Sequence, residues 1–289
     1  MLLIQQLING ITQGSLYALL AISFSLIFGV LKLVNFAVGE VYMFGAFMGW
    51  LVVTYVSSNI FIALAASIVT GWVLGFVIEK VAFKALRGVP EIASLICTIG
   101  FSIFLKEIAS VIFGAETHSV PGAFEKVAFK ISGASISWLE IFLVSITAVI
   151  LILLQVLIYK TKTGLAVRTV SLDYKTAGLM GINVDKVISF TFSLGGSLGA
   201  IAGVMASIYY NAVFPTMGSI SGLKAFAAAV FGGLTSIPGA ILGGYLLGII
   251  ENLAVQVISS GYRDIIGFVI LVGFLLFRPR GILGKKTRL

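Results

Sequence analysis

Apolar residues run along this chain in long blocks that do not alternate. Blocks at 7–29, 41–56, 60–78, 92–113, 138–158 and 187–209 carry few charges. A longer stretch over 223–258 is interrupted at Gly232-Gly233 and Pro238-Gly239, and a last run covers 265–277. A bilayer core of about 30 Å takes roughly 20 apolar helical residues, whereas strands of a membrane barrel alternate over about 10 residues. The pattern predicts an all-α polytopic membrane protein. It has about eight to nine transmembrane or re-entrant helices, some broken, in a single transmembrane domain over 1–289.

The polar breaks give the orientation. Lys80, Lys84 and Arg87 lie in one break. Lys160, Lys162, Arg168, Lys175 and Lys186 lie in a second, and Arg278, Arg280, Lys285, Lys286 and Arg288 form the tail. An excess of Lys and Arg marks cytoplasmic loops. Residues 79–91, 159–186 and 278–289 are therefore expected in the cytoplasm. Residues 114–137, with only Lys126 and Lys130, are expected outside. Three spans before the first basic break put the N-terminus outside. A cytoplasmic C-terminus then needs an odd number of crossings after residue 223. The 223–258 stretch therefore splits at 232–239, giving either three crossings or one crossing plus a re-entrant loop. The segment before the split is about a dozen residues, short enough only to dip into the bilayer. Met1 is followed by no basic n-region and no A-x-A-like site, so the first span is expected to be retained.

Composition narrows the function. The chain is 59% hydrophobic and 10% charged, against about 25% charged in a soluble domain. The net charge of +8 sits at the ends of apolar blocks, not on a basic soluble face, which argues against nucleic-acid binding. One cysteine, Cys97, and one histidine, His118, exclude multi-cysteine and His-pair metal sites. His118 reads as a solvated loop residue. Small residues recur four apart at Gly10/Gly14, Gly45/Gly49, Gly71/Gly75, Gly195/Gly199/Gly203 and Gly244/Gly248. That spacing suits close helix packing, and Gly195/Gly199/Gly203 is the expected seam.

No catalytic constellation appears. The tail has Gly284-Lys285, but Pro279 stands where a phosphate-binding loop needs glycine. ATP, if it drives this protein, is bound by a partner. Lys106-Glu107 reads as a snorkelling or paired cation near a helix end. Glu251, with Asn252 and Gln256, is either interfacial or bonded to a neighbouring helix. Two apolar segments are interrupted, one in each half: Asn35, Gly39 and Glu40 break the first, and Gly232, Gly233 and Pro238 the second. Such breaks point to a transport pathway; a cytoplasmic turn and a loop are the plainer alternatives. In the second basic loop, Ala166, Val170, Ala177 and Met180 fit one apolar side of short helices. Asp173 suits the cap of the second helix, and Gly181 its end. The loop reads as a docking piece for a soluble partner, or as an amphipathic interfacial helix.

These residues carry a family resemblance. Gly10 to Leu19, Asn35-Phe36-Ala37-Val38-Gly39-Glu40, Arg168 to Asp173 with Ala177 and Gly181-Ile182-Asn183, Lys224 to Gly233, and Pro279 to Gly284 resemble the branched-chain amino acid ABC transporter permeases of the LivH type. The match covers nearly the whole chain. Val38 stands where that family often has histidine. The resemblance implies a permease subunit of a binding-protein-dependent importer in a prokaryotic inner membrane. Its cargo would be branched-chain or other hydrophobic amino acids, with urea or short amides as the alternative. An ATP-independent channel or secondary transporter is the competing class, and an intramembrane enzyme is disfavoured. The implied partners are a second permease (LivM-like, or a second copy), two cytoplasmic ATPases holding ATP and Mg, and an extracytoplasmic binding protein. This chain itself binds no cofactor in that reading. Arg168, Asp173, Ala177 and Gly181 are the implied ATPase-coupling positions.

Overall fold

The computed structural model describes residues 2–86, 91–120, 127–131, 134–257, 261, 263–278 and 281–284. Its helices are α1 (Leu2–Leu31), α2 (Val38–Leu51), α3 (Ile60–Ile78), α4 (Glu91–Phe113), α5 (Trp138–Lys160), α6 (Lys162–Leu172), α7 (Tyr174–Leu179), α8 (Val184–Tyr210), α9 (Met217–Gly232), α10 (Ile237–Val257) and α11 (Arg263–Phe277). A hairpin of β1 (Val127–Ile131) and β2 (Ala134–Ser137) precedes α5. The sequence pattern did not call for this hairpin. Among the described residues, seven helices are long and apolar enough to cross a bilayer. The short segment before the late split is longer than expected. α9 has 16 residues because it begins at Met217, where Gly218 and Gly222 pack against Gly39 of α2.

Two helices end in widened turns. Val52–Val56 continues α2 and Glu79–Phe83 continues α3, each closed by a bond across five residues: Ser57 N–H to Val52 O and Lys84 N–H to Glu79 O, both 2.8 Å. Such widening lets a helix shed a residue of register without losing its hydrogen bonds.

The main helices pack as two inverted copies, α1–α4 and α8–α11. α1 lies antiparallel on α10, with Gly10 against Ile249, Gly14 against Tyr245 and Gly244 against Ala18. α3 lies antiparallel on α8 in the same way, with Gly71 against Gly196 and Gly75 against Phe192. α2 runs parallel to α8, through Gly45 on Ala200 and Gly49 on Val204. α9 runs beside α1, where the Phe24 and Phe226 rings lie 5.9 Å apart and Ser25 Oγ donates to Leu234 O at 2.9 Å. Each copy breaks after its first helix for six residues, 32–37 and 211–216. Each break opens on a non-glycine residue with positive φ, Lys32 at 58° and Asn211 at 50°, the two such residues among those described. Exchanging the copies preserves this scheme, as expected of an inverted repeat. The structural counterpart of the first break is therefore 211–216. The Gly232–Pro238 segment corresponds instead to the short turn between α2 and α3.

Glycine close approach replaces the hydrophobic drive that lipid cannot supply. The expected Gly195/Gly199/Gly203 seam is corrected. A Cβ on Gly203 would collide with Tyr42 O and one on Gly196 with Gly71 O, while Gly199 has ordinary clearance, nearest 3.6 Å. Because α8 packs on α1, α2 and α3 at once, its tight glycines do not fall in a single line.

The first and last described segments lie at opposite ends of the bundle. At one end Gln5 Oε1 accepts from Ser135 N–H of the hairpin at 2.9 Å. At the other, tail residues Ile282 and Leu283 donate backbone N–H bonds to Phe231 O and Gly232 O, each 3.0 Å. The same end gathers α6, α7 and the close of α3, where Ser189 Oγ of α8 donates to Glu79 Oε2 at 2.8 Å. The described parts of the three basic segments thus share one end. Arg87, Lys126, Arg280, Lys285, Lys286 and Arg288 lie outside the described residues.

Candidate functional site

The largest concentration of buried charge is where α1, α9 and α10 meet. Glu251 on α10 is fully buried. Its Oε2 accepts from Tyr17 Oη at 2.9 Å, Lys224 Nζ at 3.2 Å and Gln13 Nε2 at 3.3 Å. Asn252 Nδ2 donates to Gln13 Oε1 at 2.7 Å, and Arg263 Nη2 of α11 donates to Asn252 Oδ1 at 3.3 Å. Gln13 and Tyr17 are one turn apart on α1 and so present to the same partner. Glu251 is thus bonded to neighbouring helices rather than interfacial. Charges inside an apolar bundle are costly unless paired, and mark function by default.

Beside this cluster lies a cavity of about 310 Å³. Gln13, Tyr17, Lys224 and Arg263 give it one polar wall. Leu16, Leu20, Phe214, Met217 and Ile220 give it an apolar one, with Tyr42, Tyr210 and Ser221 adding hydroxyls. Tyr210 and Ile220 are each more than two-fifths exposed, which puts the mouth on their side.

The short helices α2 and α9 meet N-terminus to N-terminus just below. Gly39 and Gly218 face each other so closely that a Cβ on either would strike the other's carbonyl. Asn35 Oδ1 accepts from Ala37 N–H at 3.0 Å and shapes the turn into α2. Glu40 is buried, and its Oε1 accepts from Ser102 Oγ at 2.9 Å and Ser219 Oγ at 3.1 Å. Gly232, Gly233 and Pro238 lie at the basic end. Gly232 packs on Gly239, and Gly233, at φ 112°, packs on Gly284 of the tail. None of these six residues lines the 310 Å³ cavity.

The second basic loop forms the two helices α6 and α7. Thr161 Oγ1 caps α6 through Gly164 N–H at 3.0 Å. Asp173 caps α7, accepting from Lys175 N–H at 2.9 Å and from the Thr176 hydroxyl. That hydroxyl first, and the Lys175 amide next, hold the Asp173 carboxyl below the usual carboxylate range. Gly181 ends the unit at φ 84°, a left-handed conformation. Val167, Val170 and Ala177 are buried, and Ala166 is partly so. Met180 departs from the expected apolar side: it is 75% exposed, with Leu172 at 87% and Leu179 at 89%. The turn after Leu179 swings it outward. The Arg168 guanidinium stacks 5.4 Å from the Tyr159 ring. Asn183 caps α8 through Lys186 N–H at 3.0 Å.

Two further residues resolve. Lys106 pairs with Glu107 at 3.3 Å. His118 is half-buried and held, not a free loop residue: it exchanges backbone bonds with Val213, its Nε2 lies 2.9 Å from Phe113 O, and its ring sits 4.3 Å from Trp50.

A bundle of apolar helices in inverted repeat, with a buried ion pair and no catalytic constellation among the described residues, has the build of a membrane transport subunit. The family model for the permease component of branched-chain amino acid transport systems matches residues 6–275, and the chain belongs to that family. It is 37% identical to the high-affinity branched-chain amino acid permease BraD of Pseudomonas aeruginosa, over 98% of this chain and 96% of that one. It is 36% identical to LivH of Escherichia coli K12 over the same shares. It is 30% identical to a probable LivH permease of Methanocaldococcus jannaschii, over 96% of this chain and 91% of that one. No solved structure matches the chain.

Proposed function

We propose that this chain moves branched-chain or similar hydrophobic amino acids across a prokaryotic inner membrane, as one of two permease subunits in a binding-protein-dependent importer driven by two partner ATPases that hold ATP and Mg. The observation that carries this reading is the near full-length likeness to BraD and LivH, whose names state that substrate class. Supporting the partnership, α6 and α7 form a capped unit at the basic end with Leu172, Leu179 and Met180 turned outward. Exposed leucines on a water-facing helix pair suit a groove on a soluble partner. Asp173, Ala177 and Gly181 fix the shape of that unit, and Arg168 braces it on Tyr159. The clustering of basic segments supports a cytoplasmic position for that end, with the N-terminus and the hairpin outside. Asn35, Gly39 and Glu40 border the path at the helix junction, and Gly232, Gly233 and Pro238 close it at the cytoplasmic end. The test is reconstitution of the four-subunit complex in liposomes. Leucine uptake should require internal ATP and external binding protein. ATP-independent flux through the purified chain, or uptake of urea or short amides in place of leucine, would overturn the reading.

A further inference from the structure

We propose that the cavity between α1, α2, α9 and Arg263 is a transit site for a free α-amino acid, its carboxylate held by Arg263 and its side chain by the apolar wall; this rests on the importer reading above. Charge bookkeeping points to a carboxylate. Lys224 lines the cavity, but Glu251 lies 3.2 Å behind it and balances it. Arg263 also lines the cavity. Among the described residues its one side-chain bond goes to the neutral Asn252, and its buried Nε has no partner. Arg263 is thus a cation on the cavity wall that no carboxylate hydrogen-bonds among the described residues. A guanidinium presents a fork that matches a carboxylate. The start of α9 supplies Met217, Ile220 and Ser221 to the wall.

The remaining surfaces suit the rest of the molecule. Tyr42, Tyr210 and Ser221 offer hydroxyl oxygens to an ammonium group. Leu16, Leu20, Phe214 and Met217 offer a branched aliphatic chain an apolar bed. The volume of about 310 Å³ lies at the small end of ligand pockets, roughly 300–1,000 Å³, which suits a single amino acid better than a peptide. A neutral solute such as urea would leave the Arg263 charge unanswered in a confined site, so the cavity also separates the two cargo classes.

The test uses the whole complex in nanodiscs without binding protein, and labelled leucine as probe. 4-Methylpentanoate, which keeps the carboxylate, should compete; isopentylamine and leucinamide, which lack it, should not. Arg263→Gln should weaken leucine binding by about tenfold or more, the worth of a charged hydrogen bond in a desolvated site. Ile220→Trp, at a partly exposed rim position, should block the space without touching the polar cluster. In both, binding-protein-stimulated ATP hydrolysis should persist while leucine moved per ATP falls. If the wild-type complex imports leucine and both assembled variants match it, or if isopentylamine competes as well as 4-methylpentanoate, the site assignment is wrong and the importer reading stands. If the wild-type complex imports urea and no amino acid, the importer reading fails and takes the site with it.

Discussion

Replacing Lys224 by methionine removes the ammonium that lies 3.2 Å from Glu251 Oε2 while keeping most of the side-chain length. Breaking a buried ion pair from one side costs about 3–5 kcal/mol, because the other charge is left without its counterpart. Glu251 would keep the Tyr17 hydroxyl at 2.9 Å and the Gln13 amide at 3.3 Å. The cost should therefore sit at the low end, about 3 kcal/mol. Glu251→Gln strands Lys224, which retains Tyr17 Oη at 3.2 Å, and should cost a similar amount. The double variant holds neither charge. It should lose less than the sum of the two singles, with a coupling of about 2 kcal/mol. The assay is a double-mutant cycle on the unfolding of the purified complex in mixed detergent micelles. Additivity of the singles to within about 0.5 kcal/mol would show that the two residues do not act as a pair.

Four further outcomes are expected. In a Cys97→Ser background, because Cys97 is exposed, an impermeant thiol reagent added to intact cells should label Glu116→Cys and spare Lys175→Cys, both on exposed positions; the reverse would invert the orientation. Gly196→Val should prevent assembly, since its Cβ would strike Gly71 O, whereas Gly100→Val, with nothing within 4 Å, should assemble normally; equal yields would refute the packing argument. Gly181→Val forces a β-branched residue to φ 84° and should lower uptake and coupled ATP hydrolysis together, leaving binding-protein affinity for leucine unchanged; wild-type coupling would release Gly181 from that role. Asp173 is held below its ordinary pKa, so its cap is complete above the carboxylate range and is lost only as pH falls through the lowered value; a coupling step that titrates near neutrality in wild type and vanishes in Asp173→Asn would contradict this.

Where a single physical constraint fixed an element, the sequence showed it. Bilayer thickness sets helix length, so α3 and α5 begin on the residues that open their apolar blocks, Ile60 and Trp138. Caps are local, so Asp173 and Gly181 were legible from spacing alone. Pairings across the chain were not. Tyr17 and Glu251 are 234 residues apart, and although bonding of Glu251 to a neighbouring helix was one of its two readings, nothing local named Tyr17 as the partner. Gln13 one turn before Tyr17, and the adjacent Glu251-Asn252, were the available signals, because polar groups within a span seek partners. Lys224 and Arg263 gave less, since Lys224 stands at the opening of the apolar block that begins at residue 223, and Arg263 just before the last one. The second break was also hidden. Asn211 to Thr216 carries no charge, and Pro215 and Gly218 read as loop, while the glycine-rich Gly232–Pro238 turn drew attention instead.

The lever between the two working ends is α8. It follows α7 directly: Ile182 N–H, just before α8, bonds back to Ala177 O at 3.2 Å, and Asn183 caps the first turn of α8. Its last residue, Tyr210, stands at the cavity mouth. An unbroken helix of 27 residues spans about 40 Å. Tight packing on α1, α2 and α3 through Gly195, Gly203 and Gly196 leaves little room for it to bend. In the importer reading, a displacement of α7 at the basic end would therefore reach Tyr210 as a rigid shift. Its inverted counterpart α1 runs antiparallel beside it and carries Gln13, Leu16, Tyr17 and Leu20 in the cavity wall. Sliding α8 against α1 moves opposite walls of one space in opposite directions. In the importer reading proposed above, that is the motion an alternating site needs, and the inverted repeat would supply it without a flexible element between α7 and the cavity.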